Sequence, residues 1–68
     1  MKKQGLYRFV VKEGPDHTPG ITAEPAGGDV VFEGVLGFDL SSGVTNARAR
    51  EIANYLNTHI QAITLTTP

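Results

Sequence analysis

Residues Thr45–Ile63 read TNARAREIANYLNTHIQAI, and their pattern decides the fold. Apolar Ala49, Ile52, Ala53, Leu56, Ile60 and Ile63 recur at helical steps. At about 100° per residue they form one stripe roughly 100° wide, the mark of a helix lying on a core. Arg50, Glu51, Asn54, Thr58 and Gln61 take the opposite side. The helix is therefore expected over about 45–62. Thr45 is the expected N-cap, with Asn46 as the alternative, because a hydroxyl there can accept from the free N–H groups of the first turn.

After Ile63 the period changes from helical to two: Ile63 and Leu65 alternate with Thr64 and Thr66. A short strand over about 63–66 should follow with little or no loop. Before the helix lies Ser41-Ser42-Gly43-Val44, a short connection. Upstream of it every even position from Val30 to Leu40 is apolar or glycine: Val30, Phe32, Gly34, Leu36, Phe38 and Leu40. That alternation predicts a strand over about 30–40, continuous or bent near Gly34 or Gly37. Pro25-Ala26-Gly27-Gly28-Asp29 reads as a turn and Ile21–Glu24 as a short strand. Leu6–Lys12 is a strand with Tyr7, Phe9 and Val11 on one face and Leu6, Arg8, Val10 and Lys12 on the other. Glu13–Gly20, rich in proline and glycine, is a loop.

The fold class is α+β: a two-layer sandwich in which a three-stranded antiparallel meander (about 6–12, 21–24 and 30–40) carries one helix on one face. The helix should cross back so that the last strand runs parallel to the strand before it. The 68 residues make one domain. A domain of this size buries only about 60% of its unfolded surface. It contains no cysteine, which removes disulfides and thiolate metal sites. Two histidines far apart do not make a zinc site. No metal and no cofactor is expected.

The charge is −1, with six basic and seven acidic side chains, which argues against a general nucleic-acid binder. No apolar run approaches the ~20 residues that span a bilayer. A soluble cytoplasmic protein is the expectation.

One helix shields one face of a sheet. The face of Phe32, Leu36 and Phe38, with Tyr7 and Phe9, is expected beneath it. Leu6, Val10, Val31 and Val35 would then share the other face and stand in water, more than a small monomer normally exposes in one patch. A symmetric homodimer burying those four, or pairing an edge strand, is the expected remedy.

Three further groups are candidates for chemistry. Ser41–Arg48 runs from a strand through small residues into a helix N-terminus, a geometry that presents N–H groups to a phosphate or carboxylate. Ser41, Ser42 and Arg48 would contact such an anion. Arg48, Tyr55 and His59 project within about 40° of one another beside Ile52 and could line a shallow groove. Alternatively, Tyr55 and His59, four apart, simply pack on each other. Asp16-His17 lies in the Pro/Gly loop, where a polar tip is the plainer reading. No catalytic constellation emerges: Ser41 and Ser42 lack an elbow motif, and carboxylates such as Glu33 have structural partners such as Arg8 within reach.

The sequence thus reads as a non-enzymatic protein-interaction or regulatory module, homodimeric, with an unidentified protein as a possible further partner. The alternatives are an anion binder at Ser41–Arg48 and a nucleic-acid accessory protein using Lys2, Lys3, Arg8 and Lys12.

Overall fold

The structure is a computed structural model that describes residues 1–68. Its elements are β1 (Lys2–Glu13), β2 (Pro19–Gly28), β3 (Leu36–Asp39), α1 (Asn46–His59) and β4 (Ala62–Thr66). The four strands form one sheet of order β3-β2-β1-β4, every neighbouring pair antiparallel, and α1 packs on it. The α+β architecture and the meander follow the sequence pattern.

The first hairpin is longer and tighter than Glu13–Gly20 suggested. Glu13 pairs with Pro19, leaving five residues to turn the chain. His17 N–H donates to the Gly14 carbonyl, and His17 itself sits at φ 63°, the left-handed residue that closes such a turn. Asp16 accepts from the Thr18 hydroxyl at 2.7 Å, which fixes the tip.

Odd residues of β1 face the helix. Tyr7 and Phe9 are buried there beside Ile21 and Ala23 of β2 and Ala53 of the helix. Phe9 meets Phe38 with ring centroids 6.0 Å apart, and Tyr7 meets Phe32 edge-on at 6.3 Å. Such pairs add about 0.5–1.5 kcal/mol beyond the area they bury. The interior is thin. Eight of 68 residues are buried, and Ile21 is the only large side chain shielded completely.

The long strand predicted over 30–40 is cut to Leu36–Asp39. Residues 29–35 leave the sheet instead and cross its helix side. Two features cause this. An extra residue in β2 opposite Leu6/Tyr7 makes a bulge, and Gly27 and Gly28 follow at positive φ (147° and 77°). Asp29 then binds Gln4 twice, its N–H donating to the Gln4 carbonyl at 3.0 Å and its carboxylate accepting from the Gln4 N–H at 3.1 Å. The crossing chain passes so close to β1 that a Cβ on Gly5 would lie 2.6 Å from the Asp29 carbonyl oxygen. Val31 is carried into the core, 6% exposed, while Val30 is left 71% exposed. This reverses the even-apolar pattern at that pair, while Phe32, Leu36 and Leu40 still pack against the core. The helix thus covers the half of the sheet near the first hairpin, and the 29–35 loop covers the other half.

The direction of the last strand also differs from expectation. β4 is antiparallel to β1, and β3 runs parallel to β1 through β2, so β4 runs opposite to β3. The helix starts beyond Asp39, at the hairpin end of the sheet, and descends beside β1 until Asn57 lies at Phe9 and Gln61 at Tyr7. Its 14 residues cover about 21 Å, close to the rise of β1 from Tyr7 to Glu13. Ile60 and Gln61 form no reversing turn, so the chain continues downward as β4 against Leu6–Lys2.

Candidate functional site

Thr45 caps the helix: its hydroxyl oxygen accepts from the Arg48 N–H at 3.1 Å. Arg48 swings along the helix to Glu51, 3.6 Å away. Ser41 and Ser42 line a separate open concavity with Thr18, Pro19, Asp39 and Leu40. The Asp39 carboxylate opposes an anion there, and the Arg48 charge is directed to Glu51. Arg48, Ile52 and Tyr55 do come together, in a shallow depression with Glu51. Tyr55 stacks on His59 at 4.2 Å and 24°, and the His59 ring is anchored through Nδ1 to the Tyr55 carbonyl at 2.9 Å. The five candidate ligand residues therefore occupy two places, and the aromatic pair satisfies itself.

In the hairpin, hydrogen bonds from the Thr18 hydroxyl and from backbone N–H groups hold the Asp16 carboxyl below its ordinary value of 3.8. His17 Nδ1 engages Glu13. Both side chains of that pair are thus occupied in shaping the turn.

The face of the sheet away from the helix carries Leu6 and Val10, as expected, but not Val31, which lies in the core on the helix side. Val35, 67% exposed, belongs to the loop just ahead of β3. The expected four-residue apolar patch is therefore reduced. Thr22 opposes Val10, and Glu24 opposes Arg8. Lys12 reaches Glu24 at 3.4 Å, bridging across the Val10–Thr22 pair. Glu24, not Glu33, is the acid that serves this face, and it sits between two of the basic residues a nucleic-acid reading would need. Lys3 pairs with Leu65 and so shares the helix side, away from Lys2, Arg8 and Lys12.

The more informative surface is the rim of the sheet. β4 covers only the lower half of β1, up to Leu6, with one more hydrogen bond from the Tyr7 N–H to the Gln61 carbonyl. Above it the side-chain amide of Asn57 takes over. The Phe9 N–H donates to Asn57 Oδ1 at 2.7 Å, and Asn57 Nδ2 donates to the Phe9 carbonyl at 2.8 Å. One carboxamide thus imitates a strand partner. The sequence reading did not single out Asn57. Its signal is a polar residue about 40° beyond Ala53, at the border of the apolar stripe.

The outer edge of β4 differs. Odd residues bond inward on either side of β4: Thr67 exchanges hydrogen bonds with Met1, and Gln61 accepts from Tyr7. By alternation Ala62, Thr64 and Thr66 direct their N–H and C=O groups outward. The helix rests on β1 and β2 and leaves this strand uncovered. No residue from Ile60 to Pro68 is charged.

No protein-family model matches this chain, and neither a curated protein nor a solved structure matches it significantly. No helix is long and apolar enough to cross a membrane.

Proposed function

We propose that this chain is a small non-enzymatic interaction module that works as a homodimer, in a regulatory or accessory role toward a further protein. The observation that carries this reading is how little the chain buries by itself. Ile21 alone among its large side chains is fully shielded, whereas Leu6, Val35, Phe38, Ile60 and Leu65 stay 37–67% exposed. A domain so small gains stability readily from a second subunit. The polar side chains with chemical potential support the same reading, because Asp16, His17 and His59 are engaged in turn and helix contacts. Sedimentation velocity from low to high micromolar concentration tests it. A dimer should populate as concentration rises, and a monomer throughout the range contradicts the proposal.

A further inference from the structure

We infer that the outer edge of β4 is a self-pairing site, which joins two copies about a twofold axis at Thr64 into one eight-stranded sheet. This rests on the homodimer reading above and specifies its interface. Three observations converge on it.

Every other exposed stretch of strand edge carries a feature that deters pairing. β3 is four residues long and contains Asp39. The lower part of β2 holds Glu24, Pro25 and the bulge with its two positive-φ glycines. On the upper part of β1, Asn57 occupies the outward groups of Phe9, and the strand carries charged Arg8, Lys12 and Glu13. Charge, proline, bulges and covering groups are the means by which sheets avoid edge-to-edge association. β4 has none of them, and Ile63, Thr64 and Thr66 favour extended structure.

The outward donors are symmetric. Ala62, Thr64 and Thr66 face out, bounded by Ile60, whose N–H is spent on the Leu56 carbonyl at 2.7 Å, and by Pro68, which has no N–H. An antiparallel pair centred on Thr64 matches Thr64 with its own copy and Ala62 with Thr66 of the second copy. Every free donor and acceptor in the run is then used.

The faces agree as well. In that register Ile63 lies opposite Leu65 of the second copy. Both are on the helix side, since Ile63 pairs with Gly5 and Leu65 with Lys3. Leu65, 37% exposed in one chain, gains an apolar neighbour. Thr64 meets Thr64 on the opposite face, a favourable cross-strand pair.

The register makes a charge-swap test possible, because position 64 faces itself. Full-length Thr64→Lys and Thr64→Glu variants are each expected to sediment as monomers where the wild type is dimeric, since like charges stand directly opposite. Mixed in equal amounts they should recover a dimer. Their outward side chains at an edge leave the fold intact, which circular dichroism checks. A wild-type dimer that both variants retain overturns the edge site while the homodimer reading survives. A wild-type monomer overturns both. Single variants that dissociate without recovery on mixing overturn the Thr64 register.

Discussion

The two rims of β1 and β4 lie side by side on the same edge of the sheet, yet they are treated in opposite ways. Above Leu6 the rim of β1 is closed at Phe9 by one carboxamide, which serves both its N–H and its C=O. Below it the rim of β4 offers three consecutive outward positions with no charge, proline or covering side chain. A helix residue at the border of the apolar stripe closes the first, whereas the outward groups of the second have no partner within the chain. The difference separates an edge closed within the chain from an edge whose backbone groups stay open.

The largest effect should come from opening the sealed rim. Asn57→Ala leaves two part-buried backbone groups of Phe9 without partners, at about 1–3 kcal/mol each. A drop in Tm of well over 10 °C is expected, at roughly 4–8 °C per kcal/mol for a domain of this size. An unchanged melt would show that the carboxamide is incidental to the edge.

Gly5 belongs to the strand segment that β4 covers, and Gly5→Ala probes how tightly the 29–35 crossing is seated there. The added Cβ meets the Asp29 carbonyl oxygen at 2.6 Å and Val31 Cγ2 at 3.0 Å. A loss of about 1–3 kcal/mol in chemical denaturation is expected from this overpacking. A neutral result would mean the crossing chain moves aside freely.

The smallest effect lies at the hairpin, far from both rims. The Asp16 carboxyl titrates below 3.8 in the folded chain, so its contribution to stability is present above that pH and is lost as pH falls through the lower folded value. Tm against pH for wild type and Asp16→Asn should differ slightly at neutral pH and converge below pH 3.8. Curves that stay parallel would remove the Thr18 hydroxyl as the cause.

These contrasts also show which features were legible in the chain. The helix was, because six apolar residues at helical steps leave one solution, and Thr45 capped it as its chemistry suggests. The Tyr7/Phe9 face of β1 was legible by alternation. Of the strand expected over 30–40 only Leu36–Asp39 formed, because Gly34 counted toward the alternation without having a side chain to place. Gly34 in fact sits at φ 89°, and Val31 rather than Val30 reaches the core. The direction of β4 depended on whether the chain turns at Ile60–Gln61, and neither residue signals a turn or its absence. Asn57 was missed because a polar residue beside a stripe reads as solvated unless a strand edge is known to lie next to it. The site is where the pattern was weakest, since Val31 left the open face and the uncharged β4 took its place as the feature to explain.

Amide hydrogen exchange followed by NMR over a concentration series reads both rims at once. The Phe9 N–H should be protected at every concentration, while those of Ala62, Thr64 and Thr66 should exchange freely when dilute and become protected together as the chain concentrates. Outward amides of β4 that exchange at the same open rate at all concentrations would contradict the pairing of this edge.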